Sequence, residues 1–337
     1  MPFFGLCMPY KVHKNDTMLA YSLAVLSVIL VVLRSYTGRK MTDVAVTVRD
    51  IALMNAGRTV FGLAAGFILA WILTGSPNIL VKDPEFLKLI LFAGITNGLG
   101  LIVWYVAVER AAFMLVTILC SLSIFVPIVM SAIVYREAVT LMQFVGLLIL
   151  IASFVLITSY NKDIRGKTSW VGVLAALGYA LVAGMTDFSQ KVFQYKAFPI
   201  DATIYSIYTT VVAMLTLTVS FWIMEIRRRR APGQETEMER AARRIHPDYR
   251  PFTLKVMFSK YSLPVGFMAF SMFMTMFLNT FAAKTIPSVI LYPLLKGGEL
   301  ILSMVVSAVL LKEKPNWKCG LGVLMAAAAM VIINVFK

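Results

Sequence analysis

Charge is scarce in this chain, and so are the side chains that do most soluble chemistry. Asp, Glu, Lys and Arg make up only 15% of its 337 residues, against about 25% in an ordinary soluble domain. That shortfall excludes a water-soluble globular fold. There are two histidines, His13 and His246, both outside apolar runs, and three cysteines, Cys7, Cys120 and Cys319. No CxxC, HExxH or DxxD occurs. These lacks exclude a disulfide framework and a histidine or cysteine metal site, and no cofactor is expected. Gly166-Lys167-Thr168 resembles the end of a phosphate-binding loop, but the glycine required at position 161 is Asn161 and no strand precedes it. Nucleotide drive therefore has no motif. The first 16 residues are too short and mixed for a cleavable signal peptide.

What the chain has is apolar length. It is 59% hydrophobic, with a mean hydropathy of +0.81. Runs long enough for a spanning helix, about 20 residues, recur at 17–35, 52–73, 86–108, 111–135, 139–160, 169–188, 200–226, 261–283, 286–311 and 317–336. The expected fold is an all-α integral membrane protein of ten transmembrane helices, embedded in a lipid bilayer. Residues 1–16 form a tail, 17–160 a first unit, 161–168 a polar connector, and 169–337 a second unit. The second unit contains the one long hydrophilic loop, 227–260, whose 235–244 segment has the pattern of a short charged helix. Trp71, Trp170, Trp222 and Trp317 fall near run ends, as interfacial anchors do. Gly62/Gly66 and Gly94/Gly98 have the small-xxx-small spacing of close helix crossings.

The net charge of +15 is not a nucleic-acid signal. The basic residues sit mainly between apolar runs, where they orient a membrane protein, and no basic surface interleaved with aromatics accompanies them. The block Arg227–Arg230 is suited to anionic headgroups.

A shift of 176 residues lays the fourth and fifth runs on the ninth and tenth. Val129, Ser131, Ala132, Glu137 and Gly146 then meet Val305, Ser307, Ala308, Glu313 and Gly322 without a gap. The repeat unit is five helices. An odd number makes the second unit enter from the opposite side, which gives two inverted five-helix repeats, the plan of many secondary transporters.

An apolar helix ending in Tyr135-Arg136-Glu137 with Gly146 beyond, repeated as Leu311-Lys312-Glu313 and Gly322, resembles the EamA domain of the drug/metabolite transporter superfamily. Arg58 resembles a polar residue often found early in that family's second helix. The resemblance implies ten helices in two inverted units and carriage of small metabolites, without naming one. The 227–260 loop departs from it. The charge count puts that loop in the cytoplasm and both termini outside, whereas the resemblance implies termini inside.

Two charges interrupt the ninth run. Lys296 and Glu299 share a helix face at i, i+3 and lie about 15–20 Å into the span at 1.5 Å per residue. Charge at that depth faces a cavity or a partner. Either the two contact a polar substrate or exchange a proton, or they pair permanently and lock the helix. Under the 176 shift their mates are Cys120 and Ser123, so the charge is carried by one unit alone. Gly297, Gly298 and Pro293 loosen the same helix, and Tyr292 lies one turn before Lys296. Asp187 and Lys191, at i, i+4, read as a gate, a proton site or an interfacial ion pair at the end of the sixth run. Asn97 and Asn279 are polar residues inside spans. A methionine-rich stretch, Met268 to Met276, suits either adaptable binding or packing.

The expected function is a secondary transporter, an exporter of a small organic metabolite across a prokaryotic cytoplasmic membrane. It works by alternating access, coupled to protons or by exchange of a counter-substrate, as a monomer or homodimer, with no nucleic-acid partner. The alternatives are a membrane-embedded lipid-modifying enzyme, for which acidic or histidine clusters are missing, and a non-transporting sensor or scaffold, supported by the loop alone.

Overall fold

The structure is a computed structural model that describes residues 14–39, 47–75, 80–110, 116, 119–158, 169–230, 253–310 and 317–335. Every described element is helical. The helices are α1 (Lys14–Arg39), α2 (Val48–Thr74), α3 (Pro84–Arg110), α4 (Phe125–Tyr135), α5 (Leu141–Thr158), α6 (Trp170–Tyr195), α7 (Ala202–Arg230), α8 (Leu254–Lys260), α9 (Ser262–Ala282), α10 (Ser288–Leu310) and α11 (Trp317–Val335). Six of them, α1, α2, α3, α6, α7 and α9, are long and apolar enough to cross a membrane, by length and composition.

Local chemistry sets the helix ends. Thr47, Ser169 and Thr253 each accept a backbone N–H three residues on, at the starts of α2, α6 and α8. Thr140 and Gln143 form a reciprocal capping box at the start of α5: the Thr140 hydroxyl accepts from Gln143 N, and the Gln143 side chain accepts from Thr140 N. Gly75, at φ 70°, ends α2, and Arg136, in the left-handed region at φ 53°, ends α4.

The helices turn small and hydroxyl-bearing faces inward and large apolar faces outward. On α1, Ala20, Ala24, Ser27 and Val28 are buried, while Leu19, Val25, Leu26 and Ile29 are exposed. Trp71, Trp170, Trp222 and Trp317 are exposed near helix ends. Hydroxyls within the bundle donate back to carbonyls four residues earlier, as Thr210, Thr275 and Thr280 do, so polar groups away from water keep a partner.

The packing has a regular plan. α3 packs on α6 and α7; α9 packs on α1 and α2. α1 meets α10, and α4 meets α6. α5 lies along α11, and α2 along α7. Glycine permits the closest crossings. A Cβ at Gly98 would come within 3.1 Å of the Ala213 carbonyl on α7, and one at Gly66 within 2.7 Å of the Phe273 ring on α9. The α1–α9 and α3–α6 crossings each carry one inter-helix hydrogen bond: Ser27 Oγ to the Asn279 side-chain oxygen at 2.6 Å, and Thr186 Oγ1 to Thr96 Oγ1 at 3.0 Å.

Some expectations change. The sixth run was expected to end at 188; α6 continues to Tyr195, which places Asp187 and Lys191 inside the helix rather than at its end. The fourth run is broken by a 3-10 turn at Leu122–Ile124. Pro127 has no N–H to offer the Ser123 carbonyl four residues back, so the α-helical ladder is interrupted there. Four residues of the long loop, Arg227–Arg230, belong to α7, and its far end forms α8. The predicted short helix at 235–244 and Glu313 lie outside the described residues.

Candidate functional site

Lys296 and Glu299 lie on α10, with Lys296 Nζ 4.0 Å from Glu299 Oε2. Each side chain keeps 33% of its surface accessible, while Tyr292 and Leu295, on the same helix, retain 1% and 8%. Lys296 is nonetheless surrounded by the bundle. The charges and dipoles that act on it come from Glu299, from Asp187 and Tyr179 on α6, and from Arg34 on α1. Cys120, just before the 3-10 turn, is also within electrostatic reach of Lys296.

Local structure explains how α10 presents these groups. Pro293 removes one rung of the helix. Gly298 faces Val28 of α1, and Gly297 faces Leu150 of α5 and Met330 of α11; a Cβ at either would lie 3.2–3.3 Å from its nearest neighbour, tighter than ordinary van der Waals contact. Small residues on those faces bring α10 against α1, α5 and α11 together.

A polar latch sits at the start of α10. Lys191 Nζ lies 2.9 Å from Glu137 Oε1 and donates to the carbonyls of Ala283 and Ile286, each at 3.2 Å. The lysine's three N–H groups thus have three acceptors. Glu137 Oε2 accepts from Ser288 N at 3.0 Å, at the start of α10, where a carboxylate also meets the positive end of the helix dipole. Beside it the buried hydroxyls of Ser131 and Ser288 are 2.8 Å apart. Tyr292 Oη donates to the Asp187 carbonyl at 2.5 Å. Tyr135 stacks on Tyr195 at 3.7 Å between ring centroids and leans on Phe188. The expected Asp187–Lys191 ion pair is therefore replaced: Lys191 pairs with Glu137, on the turn after α4.

Residues 18–159 match the model of the EamA-like transporter family. The match covers less than half of the chain and marks a likeness to that family over this stretch. The match takes in α1 to α5, including Arg34, Arg58, Cys120 and Glu137. No curated protein matches the chain. Among solved structures, one described only as "crystal structure of protein" superposes with a TM-score of 0.69 at 14% identity. The alignment covers 96% of this chain and 98% of that one. Almost the whole chain, not only its EamA-like half, therefore follows a known fold.

Of the residues singled out from the sequence, Asp187, Tyr292, Lys296 and Glu299 come together with Gly297, Gly298 and Pro293. They join the EamA-like half through Arg34 and Cys120. Asn279 is instead engaged with Ser27 in the α1–α9 crossing. Asn97 lies on α3, and among the described residues no hydrogen bond or ion pair joins it to the cluster. The methionine-rich face turns inward: Met268 and Met276 are buried, and Met272 meets Arg58. Sequence reasoning missed Arg34 and Arg58 as members of the site because both were counted among the charges that orient the protein. Their signal was position. Each stands inside a helix rather than in a connector, where a charge needs a cavity or a partner.

Proposed function

We propose that the chain is a secondary transporter of a small organic metabolite, built as ten spans in two inverted five-helix repeats and working by alternating access. The observation that carries this reading is the cluster of Asp187, Lys296 and Glu299 deep in the bundle, on α6 and α10 of the second half, with the charge of Arg34 on α1 of the first half acting on it. The packing plan supports the repeat. Exchanging α1, α2, α3, α4 and α5 for α6, α7, α9, α10 and α11 turns the α3–α6 contact into α9–α1, α3–α7 into α9–α2, and α4–α6 into α10–α1. The pairs α2–α7 and α5–α11 map onto themselves.

In this reading Lys296 and Glu299 hold the polar part of the substrate. The Lys191–Glu137 latch and the Tyr135–Tyr195 stack close the path on one side, leaving the cavity reachable from the side where α1 ends and α2 begins. Reversal requires the latch to open and α1 and α2 to close in. Asp187 or Glu299 supplies the proton site if transport is proton-coupled; exchange needs neither. Export across a cytoplasmic membrane is the direction proposed.

The test is flux in proteoliposomes. Lys296→Ala and Glu299→Gln each abolish transport while the protein still inserts and elutes as a single species. Full flux in both variants would reduce the pair to a structural lock. A reporter fused at Lys337 reads the orientation: activity outside supports the charge count, activity in the cytoplasm the family pattern.

A further inference from the structure

Arg58 is the least satisfied charge described in the bundle. It lies well inside α2, 7% exposed. Its Nη2 donates to the Met272 thioether sulfur at 3.1 Å, a weak acceptor, and its Nε is buried without any partner. A buried guanidinium left in this condition is costly. The charge that acts on it most is another arginine's, Arg34, and Arg34 in turn feels Glu299. The charge felt at Arg58 is thus one of the same sign, and its buried Nε is a donor left open for an anion.

We propose that Arg58, with Arg34 beside it, seats an anionic oxo group of the substrate, a carboxylate or a phosphate. The planar fork of a guanidinium suits either group, because two parallel N–H···O bonds fit the spacing of their oxygens. The anion displaces Met272, a flexible neighbour that can give way, and neutralises the surplus charge. Lys296 and Glu299 are left for the remainder of the molecule. This inference rests on the transporter reading for its biological meaning but is read out by binding alone.

The experiment measures thermal stabilisation and affinity of the purified full-length chain in detergent. The probes are alanine and glutamate for carboxylates, inorganic phosphate and glycerol 3-phosphate for phosphates, and ethylamine as a cation without an oxo group. The expected result is stabilisation by the carboxylate or the phosphate series and none by ethylamine. Arg58→Gln should weaken that binding about tenfold or more, the loss of one charge-assisted hydrogen bond. Arg58→Lys, which keeps the charge without the fork, should fall between. Should Arg58→Gln not fold, protection of wild-type Arg58 from phenylglyoxal by the stabilising anion serves as the second readout. Anion binding unchanged in Arg58→Gln, stabilisation by ethylamine alone, or no protection would each overturn the proposal. Proteoliposome flux of a cation without anion binding would overturn it and leave the transporter reading standing. Anion binding through Arg58 without flux would do the reverse.

Discussion

Lys191 and Glu137 are 2.9 Å apart, and between them they tie α6, the turn after α4 and the start of α10 into one joint. Breaking the pair from one side leaves a charge with no counter-charge. Lys191→Met is expected to cost roughly 2 kcal/mol or more, less than a fully buried pair would because the Glu137 side chain keeps 20% of its surface. Adding Glu137→Gln should recover part of the loss. Thermal unfolding of the two single variants and the double variant gives the coupling; a double variant no more stable than Lys191→Met would show that pairing is not what holds the joint.

Cys120 offers a chemical probe of the space beside Lys296. With Cys7 and Cys319 replaced by Ser, a small water-soluble thiol reagent should label Cys120 in membranes of one orientation and not the other. Tyr135→Ala, which removes the stack on Tyr195, should admit the reagent from the side now closed. Equal labelling from both sides in the parent protein would mean that the latch and the stack do not seal the path.

Glycine clearance is testable by contrast. A Cβ at Gly184 would meet the Val126 Cβ at 2.5 Å and the Ser123 carbonyl at 2.6 Å. At Gly178 the nearest atom, Val103 Cγ1, is 3.7 Å away. Gly184→Ala should lose about 1–3 kcal/mol by forcing α6 from α4, whereas Gly178→Ala should change the melting temperature little. Similar melting curves for the two would mean that the α4–α6 crossing is not as tight as the distances indicate.

Ser27→Ala removes the hydroxyl that donates to Asn279 across the α1–α9 crossing. Inter-helix hydrogen bonds in membranes average about 0.6 kcal/mol, so a small drop in stability is expected, with the substrate affinity unchanged. An altered affinity at unchanged stability would move Asn279 from the joint to the cavity.

Much of this was legible before any coordinates. Apolar length located each long helix to within a few residues at most ends, because a bilayer leaves the backbone few alternatives. The exception, α6, runs seven residues past its predicted end at 188. A lysine at the end of an apolar run reads as a boundary residue, yet Lys191 is held inside the protein by Glu137 and by the Ala283 and Ile286 carbonyls. Lys296 and Glu299 were visible because charge in the middle of an apolar run is conspicuous. Arg34 and Arg58 were hidden because they stand nearer run ends, where basic residues have an ordinary explanation. The latch could not be read at all. Glu137 and Lys191 are 54 positions apart, and no periodicity links a turn to a helix in the other half.

The 3-10 turn at Leu122–Ile124 has a mechanical side. Where Pro127 withholds an N–H, the helix has lost one of the bonds that make it a rigid rod. The glycine that gives α4 room there belongs to another helix, α6. Stiffness at this point is therefore set by two helices at once, one supplying the weak link and the other the close contact that holds it. A bend there would carry Tyr135 and Glu137 as a unit, since both lie beyond the weak link on the short lever of α4. The rest of the bundle would not need to unpack.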